Sequence, residues 1–151
     1  MSNHSPFELA KSDSWLRWRD RKLSQAPASL NELLVEIDDP RTISASEHQA
    51  VLERCRRSNM AIYVSALGGE EGTYIPRAVG MRFGCNNINH NRGAEEDAVT
   101  ALTVQDDQLH APYIPYTNKE IHWHTDGYYN RLDLQNYSNL LHCVRPAMEG
   151  G

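Results

Sequence analysis

The chain has 151 residues, enough for one domain with a buried core. It is 40% apolar and 8% aromatic, with a net charge of −5 and a pI near 5.8. That balance excludes a general nucleic-acid binder, and no basic stripe runs along the sequence. No apolar run approaches the length of a membrane span, and the N-terminus shows neither a basic nor an apolar leader pattern. Cys55, Cys85 and Cys143 are far apart and form no Cys-x-x-Cys pair. Unpaired thiols suit them better than a disulfide framework, so a soluble, cytoplasmic protein is expected.

Residues 1–29 read as an N-terminal helical segment. Within it, residues 13–23 form a short helix, with Ser12 or Asp13 as N-cap and Trp15, Leu16, Trp18 and Leu23 as the larger apolar residues. Ser24-Gln25-Ala26-Pro27 ends it. The two tryptophans read as docking onto the domain core, with partner binding as the alternative. The basic patch from Arg17 to Lys22 reads as a solvated face.

The rest, residues 30–151, reads as one domain. Leu33, Val35 and Ile37 alternate with Leu34, Glu36 and Asp38, a period-2 strand pattern closed by Asp39-Pro40. Ser44 and Glu47 have the spacing of a capping box. Behind them His48, Val51, Leu52 and Cys55 recur at i, i+3, i+4 and i+7, which predicts an amphipathic helix to about Ser58. Residues 61–67 then read as a mostly buried strand. Gly68-Gly69-Glu70-Glu71-Gly72 reads as an exposed turn and lacks the spacing of a phosphate-cradling loop.

Residues 80–97 carry no clear period, and the Asn-rich part from Asn86 to Asn91 reads as a loop. Further short strands are predicted at 101–104, 113–116, 120–126 and 137–144. There is no internal repeat. Helices followed by several short strands predict a mainly β fold with flanking helices, a sandwich or jelly roll, and not alternating βαβ units.

The chemistry concentrates in residues 122–126. On a strand His122, His124 and Asp126 share one face, with His124 and Asp126 roughly 6–7 Å apart at Cα. The outer two lie roughly 13 Å apart. With metal bonds of about 2 Å, a facing histidine and aspartate span only roughly 11 Å. One ion therefore takes either His122 with His124 or His124 with Asp126. The first choice leads toward the His-x-His-x-Asp-His of metallo-β-lactamase-like zinc hydrolases, but Gly127 stands where the last histidine belongs. A cupin would need a glutamate shortly after, and residues 127–130 contain none. The second choice is the local half of a two-histidine, one-carboxylate site suited to non-haem Fe(II).

Four pieces carry a resemblance: Asn59-Met60-Ala61-Ile62-Tyr63; Ile114-Pro115-Tyr116-Thr117-Asn118; Trp123-His124-Thr125-Asp126-Gly127-Tyr128-Tyr129-Asn130; and Leu141-His142-Cys143-Val144-Arg145-Pro146-Ala147 leading to Glu149-Gly150-Gly151. In these the chain resembles the taurine dioxygenase-like (TauD/TfdA) family of Fe(II)- and 2-oxoglutarate-dependent oxygenases. The His-x-Asp and the Gly-Gly are widely shared there, and the other pieces resemble one bacterial subgroup.

The resemblance implies a double-stranded β-helix (jelly roll) in which His124 and Asp126 are two of three Fe(II) ligands. It implies 2-oxoglutarate as co-substrate, oxidatively decarboxylated to succinate and CO2 as a C–H bond of a small organic substrate is attacked. Tyr129 would follow the metal strand to the substrate side of the pocket, with an ordinary core tyrosine as the equal alternative. The resemblance assigns no catalytic residue in this stretch.

In the family the third ligand and the arginine that binds 2-oxoglutarate lie far downstream, so the expectation is an N-terminal half, truncated at the C-terminus. The expected partners are a small-molecule substrate and either a separately encoded C-terminal half or a second copy, with no nucleic acid or membrane. Two rival readings remain: a zinc metallohydrolase using His122, His124 and Asp126, and a non-catalytic remnant acting as an interaction module. His142 reads as a satisfied core histidine, and His122 as a neighbour of the ligands or a rim residue.

Overall fold

Local signals decide most of what folds here. A computed structural model of the protein describes residues 5–8, 10–86, 99–105, 107 and 112–148. In chain order its elements are α1 (Ser12–Ser24), β1 (Leu34–Glu36), α2 (Ala45–Ser58), β2 (Ile62–Val64) and α3 (Tyr74–Arg82). Single 3-10 turns lie at Leu30–Leu33, Ile114–Tyr116 and Leu132–Leu134. The chain divides into two compact units, Met1–Gly69 and Glu70–Gly151.

In the first unit α2 starts where the capping box predicts. Glu47 N–H donates to Ser44 Oγ at 3.3 Å, and Ser44 N–H donates back to Glu47 Oε2 at 2.7 Å. The second carboxylate oxygen accepts from Asp38 N–H at 2.8 Å, so one side chain ties the exit of β1 to the start of α2. These bonds, the Ser44 hydroxyl first and the two backbone N–H groups after it, hold the Glu47 carboxyl below the usual glutamate range. Asp39 is likewise held low by the Arg41 side chain beside it. At its far end α2 closes through Asn59 in the left-handed conformation, φ 63°, whose N–H donates to Cys55 O.

Burial follows the period-2 reading. Leu33, Val35 and Ile37 are 4%, 6% and 2% exposed, while Glu36 and Asp38 face solvent. Burying each such side chain contributes roughly 1.5–3 kcal/mol. With Ile43 and Pro40 they form the core of this unit, and α2 packs on β1 and on the Leu30–Leu33 turn. β1 and β2 pair in parallel, with Leu34 opposite Ile62, Val35 opposite Tyr63 and Glu36 opposite Val64. Ile37 N–H extends the ladder to Val64 O at 2.9 Å. Burial at this pairing raises the pKa of the Tyr63 phenol.

The second unit contains α3, which begins with Pro76 in its first turn, where a missing N–H breaks no intrahelical bond. Ile75 and Val79, at i and i+4, are 0% and 2% exposed. Gly84, at φ +83°, ends the helix as Cys85 N–H turns back to Gly80 O at 2.9 Å.

The fold overturns the jelly-roll expectation. Among the described residues there are three helices and only two short strands, and these two are parallel. Because α2 lies between them, the arrangement is a βαβ unit, the pattern set aside in favour of a sandwich. Residues 101–104, 120–126 and 137–144 contain no strand, and a 3-10 turn, Ile114–Tyr116, stands in place of the strand predicted at 113–116. Several apolar residues of the predicted strands stay exposed: Leu102 at 51%, Val104 at 68%, Ile121 at 55% and Leu141 at 75%. The strands at 33–37 and 61–67 shrink to three residues each. The N-cap of α1 is Lys11, not Ser12 or Asp13, and no side chain caps it. Most of the Asn-rich loop and Glu149-Gly150-Gly151 lie outside the described residues. Among the described residues no helix is long and apolar enough to cross a membrane.

Candidate metal site

His124 and Asp126 do not sit on a strand. They occupy irregular chain that runs into a turn at residues 126–129. Their side chains nevertheless converge, with His124 Nε2 3.2 Å from Asp126 Oδ1, each side chain 51% exposed. The other ring nitrogen, Nδ1, lies 2.8 Å from His122 O. A carbonyl oxygen only accepts, so Nδ1 donates to it, and Nε2 is the nitrogen turned toward the carboxylate, which as an acceptor suits an N–H there as well. On the far side of the carboxylate, the Asn139 amide donates to Oδ2 at 2.6 Å.

The turn after Asp126 depends on Gly127, at φ +66°. A Cβ there would lie 2.7 Å from Asn136 Nδ2 and 2.8 Å from Asn130 Nδ2. Asn130 N–H donates to Gly127 O at 2.9 Å, and the Asn130 amide donates to Leu134 O at 3.1 Å and to Asn136 Oδ1 at 3.2 Å. The chain from 127 to 139 is thus folded back onto Asp126 by asparagine amides.

Nothing matches at the level of whole sequence or fold: no protein-family model, no curated protein and no solved structure is similar to this chain.

The 3.2 Å contact is that of a direct His–Asp ion pair, and it is also compatible with two donors on one ion. With bonds of about 2.1 Å, two ligands on one ion lie roughly 3.0 Å apart at a right angle and roughly 3.4 Å apart at the tetrahedral angle. The observed 3.2 Å falls between these. A third donor is missing here, since among the described residues no three His, Cys, Asp or Glu side chains form a group able to hold a metal. His122 is exposed and uses its backbone carbonyl to hold His124.

Tyr129 is 74% exposed in the turn, edge-on to Tyr128 with ring centroids 5.3 Å apart. His142 is half-buried in irregular chain. Asn136 and Asn139 escaped the sequence reading, and Asn130 entered it only as the end of the motif. Their signal was compositional, three asparagines within thirteen residues of Asp126, and such residues read equally well as turn formers.

Proposed function

We propose that this chain contributes part of the metal site of a non-haem Fe(II)- and 2-oxoglutarate-dependent oxygenase, with His124 Nε2 and Asp126 Oδ1 as two donors. What carries the reading is the convergence of these two atoms at 3.2 Å, each ligand held from behind by an outer partner. Metal-binding histidines commonly donate their other N–H to a carbonyl, and metal-binding carboxylates are themselves hydrogen-bonded. The motif resemblance supplies the activity, and the fold contributes nothing to the reading. Bound iron would supply the redox chemistry. The part of this chain is to fix the imidazole by its Nδ1 proton, orient the carboxylate and leave other positions on the ion open. The third donor and the groups that bind 2-oxoglutarate come from outside the described residues.

The experiment is a titration of the protein with Co2+ as a spectroscopic stand-in for Fe2+, with and without 2-oxoglutarate. Weak binding is expected, abolished by His124→Ala and Asp126→Ala and unchanged by His122→Ala, whose backbone carbonyl persists. A change of the Co2+ spectrum on adding 2-oxoglutarate supports the oxygenase. Binding that needs the His122 side chain but not Asp126 would overturn the reading in favour of the zinc hydrolase, and no binding at all would favour the interaction module.

A further inference from the structure

We infer that the outer face of α1 is a homodimer interface, on which a second copy of this chain docks its own α1 in the antiparallel direction. This holds whether or not the chain binds a metal. Ser14, Trp18 and Lys22, at i, i+4 and i+8, form the inner face of the helix. Ser14 is buried, Trp18 is half-buried against the rings of Phe7 and Trp15, and Lys22 reaches the end of α2. Leu16, Arg19, Asp20 and Leu23, at i, i+3, i+4 and i+7, line the opposite face, and all four are exposed. The two leucines are 40% and 67% exposed, with Trp15 at their edge at 42%.

The order along this face is apolar, cation, anion, apolar, which is its own complement when reversed. With a two-fold axis between residues 19 and 20, Leu16 meets Leu23 of the second copy and Arg19 meets Asp20 of the second copy. A parallel pair would set like charge on like charge, so the charges choose the direction. The atoms for the exchange are available. Within one chain Arg19 Nε and Nη2 both donate to Asp20 Oδ1, at 3.0 and 2.7 Å. Asp20 Oδ2 and Arg19 Nη1 make no hydrogen bond among the described residues, so each copy can keep its own pair and add a bond across the axis. Burial of the leucines and of the Trp15 edge supplies the attraction, while the exposed ion pairs mainly fix register. A standard interface uses about 20–30 residues a side, so one helix face makes a weak dimer.

The test is sedimentation equilibrium of the full chain at rising concentration, where the wild type is expected to pass from monomer to dimer. Arg19→Glu leaves two adjacent acids and Asp20→Lys two adjacent bases, so each variant should self-associate about tenfold more weakly. Mixed in equal amounts, the two variants are complementary again and should form a heterodimer about as tight as the wild-type dimer. Arg19→Glu combined with Asp20→Lys reverses the pair and should restore the homodimer. Leu23→Lys should abolish association. Because these positions are exposed, the far-UV circular dichroism of each diluted variant should match the wild type. A wild type that stays monomeric at its highest soluble concentration overturns the inference. So does a dimer that the single reversals leave intact, or one that mixing the two variants fails to rescue.

Discussion

The ammonium of Lys22 lies 2.9 Å from the side-chain oxygen of Asn59, and the same nitrogen reaches the carbonyls of Arg56 and Arg57 at 3.2 and 3.1 Å. A cation from α1 thereby satisfies the free carbonyls at the C-terminus of α2, where the helix dipole is negative. Lys22→Met, which keeps most of the apolar stem, should destabilise the first unit by about 1 kcal/mol. Urea unfolding followed by far-UV circular dichroism checks this, and the difference should shrink as salt is added. An unchanged midpoint at low salt would show that the contact contributes nothing.

The capping box gives a prediction in pH. The Glu47 carboxyl is held lower in the folded chain than in the unfolded one, so the native state binds fewer protons there. Its contribution is complete above the unfolded value of about 4.3 and is lost as pH falls through the lower folded value. Glu47→Gln keeps a side chain suited to the box but removes the titration, and should flatten the acid side of the stability profile. Asp39, held low by Arg41, leaves a residual slope of the same sign. Separately, Ser44→Ala should cost about 1 kcal/mol at neutral pH. Equal acid sensitivity of wild type and Glu47→Gln would contradict the assignment.

Gly127→Ala should disturb the candidate site more than its size suggests. The backbone there has φ +66°, and the added methyl would press on the amides of Asn130 and Asn136. Strain of this kind costs roughly 1–3 kcal/mol. The side-chain amide signals of Asn130 and Asn136 should shift and exchange faster with solvent, and Co2+ affinity should fall. If both signals stay where they are in the wild type, the turn does not depend on this glycine.

Among the described residues of the second unit, Ile75→Ala removes the side chain that is most completely buried, at 0% exposure. Large-to-small changes at such positions cost roughly 2–5 kcal/mol. Hydrogen exchange of the α3 amides should accelerate accordingly, whereas Tyr74→Ala, at an exposed position, should change it far less. Comparable acceleration in both variants would mean that α3 is not held by its buried face.

What the sequence made legible was local. Ser44 and Glu47 lie three residues apart, and the alternation at 33–37 needs no knowledge of a partner. The jelly roll needed such knowledge. Leu102, Val104, Ile121 and Leu141 have strand-like residue types, yet a strand exists only where a neighbour satisfies its N–H and C=O groups. Among the described residues no ladder reaches them, and they remain exposed. α3 could have been found from Ile75 and Val79 at helical spacing, with Pro76 as a first-turn signal and not a breaker. Lys22 was read as part of a solvated face because its partner lies 37 residues away. At the site, the His-x-Asp spacing identified two side chains that do meet. Asn139 lies 13 residues beyond Asp126, and only the fold of the intervening turn brings it there.

The parallel register of Leu34 and Ile62 also favours an order of events. A hairpin zips outward from its turn, but a chain leaving Glu36 must travel back along the sheet before Ile62 can align. α2 makes that return, its 14 residues spanning roughly 21 Å at 1.5 Å each. Pairing is therefore expected to follow the helix, because an unfolded linker would leave the two strands searching for each other at the full entropic cost of a long loop. The hydroxyl of Ser44, which starts that helix, should thus act on the speed with which the sheet assembles as well as on its stability.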